Sequence, residues 1–221
     1  VRSRTTPTDA NDPHRTAAAR STWDGSYAQH VDDRDLYERT TGRRTVHRGR
    51  YLTFRVDTVV DAEGREHTRE IVEHPGAVAI VPLDGDELLL VRQFRTPVAG
   101  AILELPAGTL DRAPDGSTED PEVAARRELS EETGHRASSW RHLTSFWSAP
   151  GFTDERMHLY LATGLEPITG YDGPEADERL RMERVPWREA VAAASAGRIE
   201  DAKTLVGLLW LERLVERGEL P

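Results

Sequence analysis

The sequence predicts an α/β fold, with helices set among and after a run of strands, and three observations carry that expectation. Short runs of β-branched, leucine and aromatic residues separated by turn residues repeat from Val46 onward. One helix with complete start and stop signals interrupts them, between Asp120 and Gly134. Two amphipathic stretches then close the chain.

The elements follow in order. RYLTFRVDTVVD, a turn at Ala62-Glu63-Gly64 and HTREIVEHPG read as an N-terminal β-hairpin over residues 46–74. AVAIVPL and ELLLVRQF, joined through Asp84-Gly85-Asp86, are apolar enough to be buried strands. RHLTSFWSAPG and MHLYLATGL are two further strands, and the weakly alternating RLRMERVP another. WREAVAAASAG forms a helix ending at Gly197. A longer one runs from about Asp201, an N-cap residue, to Arg217, with Leu205, Leu208, Leu209, Leu211 and Leu214 on its apolar face. Residues 1–20, rich in Thr, Ala, Arg, Asp and Pro without periodicity, read as a disordered tail. Residues 21–45 form an N-terminal extension whose packing the sequence leaves open.

Composition narrows the function. With 221 residues, 37% hydrophobic and 31% charged, the chain suits a tail and one domain, placed at 46–217. A net charge of −10 argues against nucleic-acid and acidic-membrane partners. The absence of cysteine excludes disulfides and thiolate metal sites and fits a cytoplasmic protein. No apolar stretch approaches the roughly 18 residues that span a bilayer.

The helix EDPEVAARRELSEETG carries the strongest chemical signal. Asp120 suits the N-cap, Pro121 the first helical position and Gly134 the residue past the end. At about 100° per residue, Glu128, Glu131 and Glu132 fall within about 100° of arc, where like charges repel. Such crowding costs stability unless a cation sits there; Arg126 and Arg127 can screen part of it.

The pattern Glu-x7-Arg-Glu-Leu-x-Glu-Glu-x-Gly, from Glu119 through Arg127, Glu128, Glu131, Glu132 and Gly134, resembles the Nudix box of diphosphate hydrolases, with Gly108 of ELPAG as its opening glycine. Ten residues separate Gly108 from Glu119 where the usual box has five, and His135 replaces the final aliphatic residue. Turn residues in DRAPDGSTED predict that the extra length bulges outward without moving the carboxylates. The resemblance implies a Nudix-like α/β/α sandwich with a mixed sheet. A second resemblance, to ADP-ribose pyrophosphatases within that family, covers roughly residues 45–214. It rests on REIVEHPGAVAIV, VRQFR, ELPAG, the box and APGFTDERMHLYLA, with Pro150 sixteen residues beyond Gly134.

The resemblance implies metal-dependent hydrolysis of ADP-ribose to AMP and ribose 5-phosphate. It carries Glu128 and Glu132 over as ligands of Mg²⁺, with Mn²⁺ as the alternative, Glu131 as a third ligand or catalytic group, and the Ala107 carbonyl beside them. Arg127 is expected to steady Glu131 or the loop, and Glu119 to do likewise. The loop TGYDGPEADER would supply a general base, Glu175, and a further ligand, Glu178, the two being exchangeable. Arg69, Glu73, Arg95, Gly151, Phe152 and Glu155 match substrate-binding positions. The family commonly forms homodimers through N-terminal strands, so the 46–74 hairpin predicts a dimer. Competing readings are a broader nucleotide-sugar or dinucleotide pyrophosphatase and an ADP-ribose sensor without turnover. Isoprenoid diphosphate isomerisation would ordinarily use a cysteine, which this chain lacks.

Overall fold

The computed structural model describes residues 33–113, 115–173 and 179–220. In chain order the strands are β1 (Arg39–Arg48), β2 (Thr53–Val60), β3 (Glu66–Glu73), β4 (Ala77–Asp84), β5 (Glu87–Arg95), β6 (Gly100–Glu104), β7 (Ala107–Thr109), β8 (His135–Trp147), β9 (Arg156–Pro167) and β10 (Leu180–Pro186). The helices are α1 (Pro121–Thr133), α2 (Trp187–Ser195) and α3 (Ala202–Glu216). Among the described residues no helix is long and apolar enough to cross a membrane.

Strand β4 organises the domain because both of its faces are apolar. Its period of two sends Ala77, Ala79, Val81 and Leu83 into a cluster with Leu208 and Leu211 of α3. Val78 and Ile80 point the other way, onto Ala125 and Leu129 of α1. Helices therefore cover opposite faces of one sheet, the α/β/α sandwich that the resemblance implies. The order is β10-β5-β4-β9-β8, with β6 on β5 and β7 on β4. The β4–β9 pair is parallel and the other pairs antiparallel, so the sheet is mixed.

The N-terminal hairpin is present and larger than expected. β2 and β3 pair from Thr53↔Glu73 to Val60↔Glu66, and β1 adds a third antiparallel strand starting at Arg39, inside the segment 21–45. Nearly every β1 side chain is exposed, which explains why no apolar alternation marks it. Three further differences come from elements with weak patterns. β6 and β7 are too short to announce themselves, and β8 starts at His135 because HRASSW, although polar, pairs with the far end of β9. The loop after β7 folds outward as expected. Arg112 bridges Thr118, and the Glu119 amide donates to the Asp111 carbonyl at 2.8 Å, closing the insertion before α1 begins.

Gly207 lets α3 approach the sheet. A Cβ there would collide with Leu105 and lie 3.1 Å from Val81 Cγ2, both in the buried core. Gly207→Val is expected to destabilise the fold by about 1–3 kcal/mol through overpacking, read as a lower urea midpoint; an unchanged midpoint would refute this close packing.

Candidate active site

The site grows from the capped helix α1. Asp120 is extended, and its carboxylate accepts from the Glu122 and Val123 amides at 2.9 and 3.2 Å. Gly134 ends the helix at φ 68°, with its amide on the Ser130 carbonyl. Its missing side chain also admits the Tyr171 ring, whose hydroxyl donates to the Glu131 carbonyl at 2.6 Å.

Glu128 and Glu132, one turn apart, are 6% and 3% exposed. They face the β7 loop: the Ala107 amide donates to Glu132 Oε2 at 3.0 Å, and a Cβ on Gly108 would fall onto the Glu128 carboxylate. Only glycine leaves room for that acid. Arg127 supplies the compensating charge. Its Nη1 donates to Glu128 Oε1 at 2.7 Å and Glu131 Oε2 at 3.0 Å, while Nε and Nη2 reach Glu119 at 3.3 and 2.9 Å. The Glu119–Arg127 hydrogen bonds hold the Glu119 carboxyl below its usual range, and the same bonds lead the causes that raise the guanidinium.

These groups line a cavity of about 390 Å³. Ala107, Gly108, Glu128, Glu131 and Glu132 form its acidic wall, with Gln93 and Arg95 of β5 and the turn residues Arg50 and Tyr51 also at its border. The Arg50 guanidinium lies 4.8 Å from the Tyr51 ring centroid. Among the described residues no three His, Cys, Asp or Glu side chains converge as a ready metal cage. The donor chemistry nevertheless fits a hard divalent ion: buried carboxylate oxygens stand beside a glycine whose side chain would have filled their cradle. A cavity of about 560 Å³ borders the first turn of α1. Its acids are engaged: Asp120 caps the helix, Asp154 accepts from the His74 amide at 2.7 Å, and Glu119 holds Arg127.

The other predicted residues are dispersed. Arg95 reaches the carboxylate cavity, but it is also paired with Glu104. Arg69 is engaged by Glu38, and Glu73 by Arg55. Glu155 meets Ser148 and lies 3.5 Å from His74. The Phe152 carbonyl accepts the Val72 amide at 2.8 Å, which stitches the loop holding Gly151 to β3. None of Arg69, Glu73, Gly151, Phe152 and Glu155 borders the carboxylate cavity. Glu175 and Glu178 lie outside the described residues. Sequence reasoning passed over Glu104, a carboxylate 1% exposed inside the apolar run AILEL; its placement among apolar neighbours was the available signal.

The NUDIX domain family matches residues 73–205, the stretch that contains α1, Ala107, Gly108 and Arg95. The chain belongs to the Nudix family. It is 37% identical over 176 residues to the methanol dehydrogenase activator of Bacillus methanolicus, covering 79% of this chain and 92% of that one. It is 34% identical over 180 residues to the ADP-ribose pyrophosphatase of Bacillus subtilis (strain 168), covering 81% and 95%. A crystal structure of an ADP compounds hydrolase superposes with a TM-score of 0.69 at 25% identity, over 83% of this chain and 97% of that one. The capped helix α1, with Arg127, Glu128, Glu131 and Glu132, is thus a Nudix box whose first loop has been lengthened.

Because its folded pKa is lowered, Glu119 contributes stability that is present above its unfolded value near 4.5 and is lost as pH falls through the folded value. Glu119→Gln should therefore cost about 1 kcal/mol at pH 7 and progressively less below pH ~4.5. Thermal unfolding of both proteins across that range checks the sign; a gap that widens in acid would refute it.

Proposed function

We propose that this Nudix protein hydrolyses the diphosphate bond of ADP-ribose, giving AMP and ribose 5-phosphate. The observation that carries the reading is the buried Glu128 and Glu132 pair facing Gly108, with Arg95 at the same cavity. The names of the Bacillus subtilis relative and of the ADP compounds hydrolase support the choice of substrate.

Glu128 and Glu132 would hold Mg²⁺, or Mn²⁺ in its place, together with the Ala107 carbonyl, Glu178 and, as a third carboxylate, Glu131. A divalent ion in that position supplies charge neutralisation to the diphosphate and activates water. Arg95 meets phosphate oxygens, and its cationic plane suits them. Glu175 takes the proton of the attacking water as the P–O bond to the leaving phosphate breaks. Arg127 keeps Glu128 and Glu131 from repelling one another until substrate and ion arrive.

The reading includes a cytoplasmic homodimer. Arg69, Glu73, Gly151, Phe152 and Glu155 do not border the carboxylate cavity of their own chain. A second copy whose N-terminal sheet crosses over would bring Arg69 and Glu73 of that sheet to the adenosine end of the substrate. The exposed strand β1, with Leu36 and Tyr37 just before it, offers the surface for that contact. Sedimentation of the full chain should give twice the monomer mass, and a monomer at micromolar concentration would sink the dimer.

AMP release from ADP-ribose with Mg²⁺, run beside a panel of nucleotide sugars and dinucleotides, tests the activity. Glu132→Gln should lower kcat/KM on the order of 100-fold or more. Preferred turnover of another diphosphate would overturn the substrate and keep the chemistry. Binding of ADP-ribose without turnover under any divalent ion would overturn the hydrolase and favour a sensor.

A further inference from the structure

Glu104 poses a problem that the chemistry above does not solve. A carboxylate 1% exposed at the end of β6 must be compensated, and two cations do so. Arg95 donates Nε to Oε1 at 2.7 Å and Nη2 to Oε2 at 2.8 Å, and Lys203 Nζ meets the same Oε2 from the α3 side. Burial alone would raise the Glu104 pKa; the hydrogen bonds and charges of Arg95 and Lys203 outweigh it and leave the pKa lowered.

Lys203 is itself held. Its Nζ lies 3.0 Å from Asp201 Oδ1, while Asp201 Oδ2 accepts the Thr204 amide at 3.0 Å and the Thr204 hydroxyl at 2.6 Å. Thr204 Oγ1 in turn accepts the Leu105 amide at 2.8 Å. The first turn of α3 is thereby fastened to the strand end that leads, two residues later, into the Ala107–Gly108 loop. In this network Arg95 uses one edge of its guanidinium, Nε with Nη2, and Nη1 takes no part among the described residues. Arg95 borders the carboxylate cavity and senses the charge of Glu132.

We infer that Lys203 is a positioning residue for substrate binding: through Glu104 it fixes the Arg95 guanidinium at the wall of the carboxylate cavity, with one edge left for the diphosphate. This rests on the proposed diphosphate hydrolysis. Without Lys203 the buried Glu104 keeps one cationic partner. Arg95 then neutralises it alone, and its charge and direction at the cavity are both weakened.

A double-mutant cycle of Arg95→Met and Lys203→Met tests this. The readouts are KM for ADP-ribose and, independent of turnover, Kd for ADP by calorimetry. Each single change should raise both constants about tenfold, the scale of a lost charge-assisted hydrogen bond, and the double variant should be no worse than Arg95→Met. Lys203→Arg, which keeps the charge, should stay within about threefold of the wild type. Effects that multiply to about 100-fold in the double variant would overturn the inference, because Lys203 would then act independently of Arg95. So would a Lys203→Met protein that loses thermal stability while KM and Kd stay unchanged, or a wild-type chain that binds no ADP. A wild-type chain that binds ADP but does not cleave ADP-ribose refutes the proposed substrate alone; the cycle in Kd still decides the role of Lys203.

Discussion

The site depends on Arg127. Three glutamates on one face of α1 are mutually repulsive, and two of them are buried, where repulsion is screened least. A single guanidinium joins Glu128 and Glu131 through one nitrogen and Glu119 through the other two. It thus bridges the helix face to the residue that ends the inserted loop. The helix and its entry loop thereby become one electrostatic unit.

The glycines and the sheet turn that unit into a cavity. Gly108 lets the β7 backbone approach the Glu128 carboxylate, and the Ala107 amide fixes Glu132. β7 is held in place by pairing with β4, whose two apolar faces anchor α1 on one side and α3 on the other. The acidic wall belongs to one face of the sandwich, whereas the Glu104–Lys203 network reaches it from the other. Packing of α3, through Gly207 against Leu105, is therefore coupled in space to the polar edge of the same cavity.

Much of this was legible along the chain wherever the governing physics is local. Asp120, Pro121 and Gly134 mark the ends of α1 because capping acts within one helical turn. AVAIVPL and ELLLVRQF mark β4 and β5 because strands buried on both faces need continuous apolar runs. β1, β6 and β7 were not legible. β1 is exposed at almost every position, β6 and β7 are short, and their hydrogen-bond partners lie elsewhere in the chain. Arg95 is legible as a match to a substrate-binding position, but its tie to Glu104 was invisible, and so was that of Glu104 to a lysine 99 residues downstream.

By itself the sequence determined the fold class, the box helix and the identity of the carboxylates that crowd it, because periodicity, capping and charge spacing are properties of neighbouring residues. Tertiary structure alone decided which of those groups share a cavity. It placed Arg95 beside the acidic wall and kept Arg69, Glu73 and Glu155 away from it, Arg69 and Glu73 in ion pairs and Glu155 hydrogen-bonded to Ser148. The reason is physical: a buried charge takes whichever partner the fold brings within hydrogen-bond reach, and that partner is set by how strands and helices pack, not by distance along the chain.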